Sequence, residues 1–304
     1  MKQVLVAAPI SEALLHALIH VGYEVKTLEN IGEEKTYIHG ILTSNKLVLH
    51  RNELEKYSNL KWIGRLGSGM EIVDTDYCDK NNIRYFNSPN GIANSVAEHI
   101  MGMLLSLLHH IESSFHEVQS GLWIREANRG IELEGQTLGI IGFGHTGQAL
   151  ANKLRVFTNH IIAYDKYKSG FGNEFVKEVS LAELQANSDI ISFHVPLTAE
   201  TLHYYDEDFM HKMHKPHILI NASRGAVIET PLILKGLQQH KIKGACLDVV
   251  EEEKQINWVL QQEPNILSEL CRYPVLITPH IAGYSHNAIQ KMSEELRLQL
   301  DGIW

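Results

Sequence analysis

The sequence has few cysteines and few basic residues. Cys78, Cys246 and Cys271 are odd in number and far apart, so they form neither a disulfide framework nor a CxxC metal or redox pair. Reduced thiols are typical of cytoplasmic proteins, and we expect a cytoplasmic location. Lys and Arg total 27 against 36 Asp and Glu, a formal net charge of -9. Because this charge repels a phosphate backbone, no nucleic-acid partner is expected.

Long hydrophobic runs are also missing. No stretch approaches the roughly 18 apolar residues that cross a bilayer, and the apolar run at residues 4–8 is ended by Pro9, too early for a signal peptide. We therefore expect no membrane association. The 304 residues, 44% of them hydrophobic, are enough for two globular domains.

Histidine is abundant, with 18 residues. The close pairs are His109 with His110 and His211 with His214, and neither has a Cys or carboxylate at the spacing of a metal site. No bound metal is expected.

Short apolar runs alternate with helix-compatible segments along the chain. A first series of predicted strands covers residues 4–8, 25–28, 40–43, 62–66 and 84–87, and a second covers 138–142, 160–165, 189–195, 217–221, 244–249 and 275–278. In the second series each of the first five strands is followed by a segment that can form a helix. Continuous apolar strands separated by helices are typical of a parallel sheet covered on both faces.

Two helices are predicted outside these series. A capping-box spacing at Ser95 and Glu98, followed by apolar residues every three to four positions, predicts one long helix over residues 95–119. Its apolar surface exceeds what one domain edge requires, so a two-fold homodimer is expected. A helix over residues 285–300 is expected to return to the first layer and make that domain discontinuous.

A G-x-G-x-x-G pattern lies at Gly142, Gly144 and Gly147, between a predicted strand and a predicted helix. The first glycine allows a tight turn, the second a close approach of backbone to a diphosphate, and the third close helix–strand packing. The amides of His145 and Thr146 would face the phosphates at the positive end of the helix. This context predicts a dinucleotide site.

An acidic residue follows the next strand. Asp165, 18 residues beyond Gly147, would accept hydrogen bonds from the adenosine ribose and repel a 2'-phosphate. NAD is therefore favoured over NADP, although Lys166 and Lys168 lie nearby.

Three charged residues follow later strands, at the edge where open parallel sheets bind ligands. Arg224 could fix a carboxylate bidentately, and His280 could exchange a proton with a substrate hydroxyl or carbonyl oxygen. Glu253 would stabilise the protonated imidazole and orient it. Each residue alone has an ordinary explanation as a surface group, but together they form a workable site for hydride transfer to a 2-keto acid.

With these motifs the chain resembles the D-isomer-specific 2-hydroxyacid dehydrogenase family, and within it the D-3-phosphoglycerate dehydrogenases. Further stretches of the chain resemble that family's motifs in the same order: residues 64–69, 73–74, 87–91, 96–98, 194–197 and 221–225. The resemblance implies two Rossmann-like α/β domains with doubly wound parallel sheets. The larger, residues 93–283, would bind NAD, and the smaller, residues 1–92 with 284–304, would bind substrate.

The resemblance also implies roles for individual residues. Catalysis would use Arg224, Glu253 and His280, where the choice of Glu253 over Glu251 or Glu252 depends on its spacing from Asp248. The further cofactor-binding residues would be Ser68, Val195, Ala222, Ser223 and Asp248. The substrate-binding residues would be Arg65, Gly67, Ser68, Gly69, Asn90, Arg125 and Arg224, with the two arginines at positions 65 and 125 meeting a substrate phosphate.

The expected reaction is hydride transfer between NAD and a D-2-hydroxy acid, namely 3-phosphoglycerate, which would feed serine biosynthesis. The alternatives are a glyoxylate or hydroxypyruvate reductase, an erythronate-4-phosphate dehydrogenase, or a non-catalytic NAD-sensing protein. Because the sequence ends at Trp304, we do not expect the carboxy-terminal regulatory domain of some relatives.

Overall fold

The chain forms two compact units in a computed structural model that describes residues 2–32, 35–251, 253, 260–261 and 265–303. The first unit joins the two ends of the chain, Met1–Ser95 with Gly283–Trp304, and the second is Val96–Ala282. Each contains a parallel sheet with helices, so the predicted α/β fold class is confirmed.

The first unit contains a five-stranded sheet. Its strands are β1 (Lys2–Ala7), β2 (Tyr23–Thr27), β3 (Ile38–Thr43), β4 (Trp62–Arg65) and β5 (Arg84–Asn87). All neighbours are parallel in the order β2-β1-β3-β4-β5. Each strand lies within one or two residues of a predicted apolar run. For the central strands β1, β3 and β4 the agreement follows from burial, because strands covered on both faces are apolar without alternation.

Among the described residues, four helices accompany this sheet: α1 (Glu12–His20), α2 (Arg51–Leu54), α3 (Thr75–Lys80) and the closing helix. A fifth, α4 (Pro89–Leu108), begins here and continues into the second unit. The hydroxyl of Ser11 caps α1, where it accepts a hydrogen bond from the Leu14 N–H. The closing helix, residues 286–300, is described below as α11, and its Met292 and Leu296 pack with Val4 and Trp62 in one apolar cluster.

The second unit contains a seven-stranded parallel sheet. Its strands are β6 (Leu138–Ile141), β7 (Ile161–Tyr164), β8 (Lys177–Glu178), β9 (Ile190–Phe193), β10 (His217–Asn221), β11 (Ile242–Leu247) and β12 (Val275–Ile277). The order is β12-β11-β10-β9-β6-β7-β8. The chain therefore leaves β6 first towards one side and then, from β9 onwards, towards the other. That reversal places a ligand-binding crevice at the carboxyl ends of β6 and β9.

The described residues of this unit form helices between the strands. They are α5 (Ile111–Gln119), α6 (His145–Leu154), α7 (Leu181–Asn187), α8 (Glu207–Lys212), a 3-10 turn (Gly225–Val227), α9 (Thr230–Gln238) and α10 (Ile266–Leu270), and α11 (His286–Leu300) then closes the first unit. Side-chain oxygens of Ser180, Asp206 and Asn265 cap α7, α8 and α10.

The single long helix predicted over residues 95–119 is wrong. Helix α4 begins earlier, at Pro89, since proline is well suited to a first helical position. It ends at Leu108, whose carbonyl oxygen accepts from the Ile131 N–H at 2.9 Å. His110 adopts a left-handed conformation with φ of 52° before α5 starts. The hydrogen bond from Ile131 to Leu108 and the left-handed backbone at His110 therefore divide the predicted helix into two.

Among the described helices, α4 is long and apolar enough to cross a membrane by length and composition, with a mean hydropathy of 1.3. Half of that stretch is buried inside the protein. Core helices of globular proteins share this composition.

One strand was missed and one helix does not form. The two-residue strand β8 carries a charged pair, Lys177 and Glu178, and pairs with β7. Within the described residues 165–176, β7 is followed by a loop rather than the expected helix. Strand β8 was missed because a two-residue strand at a sheet edge has no apolar run that would predict it.

Candidate active site

The strands of the second unit end in register along one edge. Asn221 of β10 pairs with Leu247 of β11, which pairs with Ile277 of β12. On the other side, Ile141 of β6 pairs with both Phe193 and Tyr164. The loops that follow all six strands therefore start at one edge, and they carry most of the predicted cofactor-binding and catalytic residues.

The glycine-rich turn joins β6 to α6. Gly142 has a φ of 89°, and a Cβ there would lie 2.6 Å from the carbonyl oxygen of His194. A Cβ on Gly147 would lie 2.3 Å from the carbonyl oxygen of Gly142. At Gly144 a Cβ would meet nothing within 4 Å. Two glycines thus allow tight packing, and the third leaves open space at the helix end.

The N-terminus of α6 supplies the donors that a diphosphate needs. Gly144 is the N-cap residue and has no side chain to occupy the helix end. The first intrahelical bond runs from the Gln148 N–H to the Gly144 oxygen, so the amides of His145 and Thr146 precede it. Open space, free amides and the positive end of the helix dipole together fit a diphosphate.

His194 lies against the glycine-rich turn and was not predicted as a site residue. The His194 ring contacts Thr146 Oγ1 through Nδ1 at 3.1 Å and Ser192 Oγ through Nε2 at 2.9 Å. Burial lowers the pKa of His194 to about 4, so the ring is neutral at neutral pH. It orients a hydroxyl at the start of α6 without adding charge. Its position near the carboxyl end of the strand predicted over residues 189–195 was the available signal.

Asp165 lies one residue after β7 and faces the glycine turn. Its carboxylate accepts from the Phe143 N–H at 2.8 Å and from the Tyr167 N–H at 2.9 Å. Lys166 binds Glu200 at 2.6 Å, and Lys168 donates to the Phe143 carbonyl oxygen at 3.1 Å. Both lysines that could favour a 2'-phosphate therefore have protein partners, and the carboxylate remains at the ribose end of the fingerprint.

The other predicted cofactor residues of this unit also lie at the edge. Val195 follows β9, and its Cγ1 is 3.0 Å from where a Gly142 Cβ would be. Ala222 and Ser223 follow β10, and the Ser223 hydroxyl donates to the Asn221 side chain at 2.8 Å. Val195 is thus close to the glycine turn, and Ala222 and Ser223 lie further along the same edge.

Asp248 organises the loop after β12. Only 1% exposed, its carboxylate accepts from the N–H groups of Ile281 and Ala282 at 2.9 and 2.8 Å and from the Thr278 hydroxyl at 2.6 Å. The His280 N–H donates to the Asp248 carbonyl oxygen at 2.8 Å. This residue therefore holds the backbone that presents His280.

His280 and Glu253 are in contact, as the predicted pair requires. Nδ1 of His280 lies 2.7 Å from Oε2 of Glu253, and each side chain is about one-third exposed, 34% and 35%. His280 has a φ of 55°, a left-handed conformation that a non-glycine residue adopts at a cost of about 1–3 kcal/mol. Glu252, one alternative to Glu253, lies outside the described residues, and the other, Glu251, contacts different groups.

Arg224 follows β10, two strands away from β12 in the sheet. Its Nη1 donates to the Ser223 carbonyl oxygen at 2.7 Å, and its own carbonyl oxygen accepts from the Asn221 side chain at 3.0 Å. Arg224, Glu253 and His280 therefore follow three adjacent strands, and the contact between Nδ1 of His280 and Oε2 of Glu253 joins two of these three residues.

The remaining predicted substrate residues divide between the units. Arg65 is 4% exposed, and its guanidinium donates to the Leu66 carbonyl oxygen and the Asn45 side chain. The Asn90 side chain donates to Glu295 at 2.8 Å. Arg125, in the second unit, is exposed in the segment after α5.

The Gly67–Gly69 loop of the first unit is shaped by two hydrogen bonds. The Gly67 N–H donates to the Ser88 hydroxyl at 3.0 Å, and the Ser68 carbonyl oxygen accepts from the Asn87 side chain at 2.6 Å. Gly67 has a φ of 146°, which favours glycine. Gly69 continues this loop.

A parallel sheet with this reversal of strand order, a glycine turn at a helix end and a His–Glu pair define a dinucleotide-dependent enzyme class. Residues 101–282 match the family model of the D-isomer specific 2-hydroxyacid dehydrogenase NAD binding domain. The chain belongs to the D-isomer-specific 2-hydroxyacid dehydrogenase family, and its cofactor is NAD.

Relatives in the family have different substrates. The chain is 34% identical to a D-3-phosphoglycerate dehydrogenase of Methanocaldococcus jannaschii over 83% of this chain and 50% of the relative. It is 34% identical to a hydroxypyruvate reductase of Thermotoga maritima over 80% of this chain and 77% of the relative. The chain spans about half the length of three phosphoglycerate dehydrogenases that it matches, between 50% and 56% of each.

A solved structure shows the same fold. The D-lactate dehydrogenase of Aquifex aeolicus, complexed with NAD and lactic acid, is 26% identical with a TM-score of 0.85, covering 99% of this chain and 95% of that one.

Proposed function

We propose that the protein transfers hydride between NAD and a D-2-hydroxy acid, with 3-phosphoglycerate as substrate. His280 would be the acid/base, Glu253 its partner and Arg224 the cation that binds the substrate carboxylate. The observation that carries the proposal is the 2.7 Å contact between His280 Nδ1 and Glu253 Oε2, placed at the carboxyl edge of the nucleotide-binding sheet.

The contact specifies which nitrogen does the chemistry. An ionised carboxylate only accepts hydrogen bonds, so the proton of the ring lies on Nδ1. Nε2 of His280 is then available to take the hydroxyl proton during oxidation, and the protonated ring returns it to the carbonyl oxygen during reduction. NAD, when bound, would take up the hydride during oxidation, and its reduced form would supply the hydride during reduction.

Charge stabilisation comes from the other two residues. Glu253 stabilises the imidazolium that forms on oxidation. The Arg224 guanidinium is planar and matches a carboxylate with two parallel hydrogen bonds. Arg224 thus orients the substrate, and His280 moves its proton.

The test is an NAD-dependent assay over D-2-hydroxy and 2-keto acids, phosphorylated and plain, with His280→Asn as the variant. General acid–base catalysis contributes about 10²–10⁴-fold, so kcat should fall by that order. The Kd for NAD, measured by calorimetry, should stay unchanged. Wild-type protein that binds NAD but turns over no acid would contradict the proposal and favour a non-catalytic NAD sensor.

The phosphorylated substrate is supported by the phosphoglycerate dehydrogenase relatives and by the exposed Arg125. We expect Arg125→Ala to raise KM for 3-phosphoglycerate about tenfold more than for D-glycerate, since one charge-assisted contact to phosphate is lost. Arg129→Ala is the matched control, because Arg129 lies in the same segment and pairs with Glu126. Equal effects on both acids would remove the phosphate assignment.

In that outcome the hydroxypyruvate reductase relative gives the second candidate, a reductase of glyoxylate or hydroxypyruvate. An erythronate-4-phosphate dehydrogenase would keep the Arg125 effect but respond to a different acid in the panel. The same assay therefore separates the three.

We also propose a homodimer in the cytoplasm. Helix α5 and the segment after it expose several large apolar side chains: Ile111 56%, Phe115 56%, Val118 52%, Leu122 51% and Trp123 81%. Apolar groups this concentrated favour burial against a second copy. The free thiols of Cys78, Cys246 and Cys271 support a reducing compartment.

A further inference from the structure

A histidine outside the predicted site lies between two carboxylates of the second unit. Nε2 of His203 is 2.7 Å from Oε1 of Glu251, and Nδ1 is 3.3 Å from Oε1 of Glu229. The three residues come from different loops of the chain. The sequence predicts no role for His203 or Glu229, and it offers Glu251 only as an alternative to Glu253.

Both oxygens of Glu251 are engaged. Oε1 accepts from His203, and Oε2 accepts from the N–H of Thr230, the first residue of α9, at 2.8 Å. The Glu251 N–H in turn donates to the Thr230 hydroxyl at 3.3 Å. The chain two residues before Glu253 is therefore attached by side chain and backbone to the start of α9.

The same histidine holds the turn that follows Arg224. The His203 N–H donates to the Ala226 carbonyl oxygen at 2.8 Å. His203 has a φ of 50°, a conformation that a non-glycine residue keeps only when its surroundings over-determine it. Backbone and side chain of this one residue thus contact both segments.

The two segments also touch directly. A Cβ built on Gly225 would lie 1.9 Å from the carbonyl oxygen of Val250. The backbone after Arg224 therefore packs against the backbone before Glu251 with no room for a side chain. Any displacement of one segment is transmitted to the other.

We propose that His203 is a positioning residue that holds the Arg224 turn and the Glu253 segment in one fixed arrangement. The inference rests on the proposed function, since it gives Arg224 and Glu253 their roles. Without the imidazole, Glu251 keeps its bonds to Thr230 but loses the one to His203, so the segment carrying Glu253 is held less firmly relative to His280. Misplacement of a catalytic group by about 1 Å can cost roughly 100-fold in rate.

The test compares His203→Ala, His203→Gln and a control. The amide of Gln can still donate to Glu251, so it should restore activity. His240→Ala is the matched control, because His240 is an exposed histidine with a similar φ of 56° and lies two residues after the last residue of α9. We expect kcat of His203→Ala to fall about 10- to 100-fold and KM for the acid to rise, while His203→Gln stays within about threefold of wild type.

Two measurements separate positioning from general loss of structure. The Kd for NAD and the melting temperature of His203→Ala should match those of His240→Ala. The proton NMR signal of the His280 Nδ1–H, identified by its loss in Glu253→Gln, should shift or broaden in His203→Ala and recover in His203→Gln.

The NMR signal requires no turnover, so it tests the inference even if no acid is a substrate. Wild-type protein without activity would overturn the proposed function. An unchanged His280 signal in His203→Ala would overturn the positioning role, as would wild-type kinetics in an active enzyme. The positioning role would also be overturned if His203→Ala lost NAD binding and His203→Gln did not restore activity, because His203 would then be needed for the structure as a whole.

Discussion

Acid should weaken the second unit through His217, a histidine buried in β10. The side chain is 0% exposed. Its Nδ1 faces the Lys215 carbonyl oxygen at 3.1 Å, and Nε2 contacts the Tyr205 hydroxyl at 2.8 Å. A carbonyl only accepts, so Nδ1 carries the proton and Nε2 accepts from the tyrosine. The neutral ring is thus fully satisfied.

Burial lowers the pKa of His217 to about 4, from an ordinary value of 6.5. Below pH 6.5 the unfolded chain binds a proton that the folded protein resists until about pH 4. The contribution of His217 to the free energy of unfolding is therefore fully present above pH 6.5, and it falls as the pH drops towards 4. At about 1.36 kcal/mol for each pH unit, His217 should cost the protein about 2.5 kcal/mol between pH 7.5 and 4.5.

The assay is urea unfolding of wild type and His217→Gln at these two pH values, followed by circular dichroism. Gln can donate to the Lys215 carbonyl and accept from the Tyr205 hydroxyl, yet it does not titrate. The wild type should lose about 2.5 kcal/mol more than the variant. Other acid-sensitive groups, including His194, cancel in the difference. Equal losses in the two proteins would refute the reasoning, because they would show that His217 takes up no extra proton on unfolding.

Three further outcomes are expected. Gly147→Ala should weaken NAD binding and destabilise the fold by about 1–3 kcal/mol, since its Cβ would lie 2.3 Å from a carbonyl oxygen of the turn. Gly102→Ala, where a Cβ meets open space, is the control for the calorimetric Kd. The same Kd for NAD in both variants would contradict the tight packing at Gly147. Asp165→Ser should raise the Kd for NAD and lower that for NADP, because the repelling carboxylate is gone; an unchanged ratio of the two constants would exclude Asp165 as the selector. Trp123→Glu should shift sedimentation from dimer to monomer, and Val156→Glu, 77% exposed elsewhere, should not; wild-type protein that sediments as a monomer would remove the dimer.

Most strands of both sheets could be predicted because a buried strand is a run of apolar residues in the sequence. Residues 138–141 and 218–220 are apolar, and each run lies within a strand. The glycine turn could be predicted because its spacing imposes a shape that few other residues allow. Strand β8 could not be predicted, since two charged residues pair only because β7 is beside them.

The helix over residues 95–119 failed for a related reason. Its apolar periodicity continues through His110, but the chain at Ile131 takes the Leu108 carbonyl oxygen and ends α4 there. Periodicity describes one segment, whereas this bond joins residues far apart in sequence.

For the candidate site, the sequence by itself determined the types of residue and their order: a glycine turn, an acid after the next strand, then arginine, glutamate and histidine. Only the tertiary structure decided which of them touch. The bond from His280 to Glu253, and the bridge from His203 to Glu251, depend on strand register and loop closure. Those contacts are set by packing between distant segments, which leaves no local pattern in the chain.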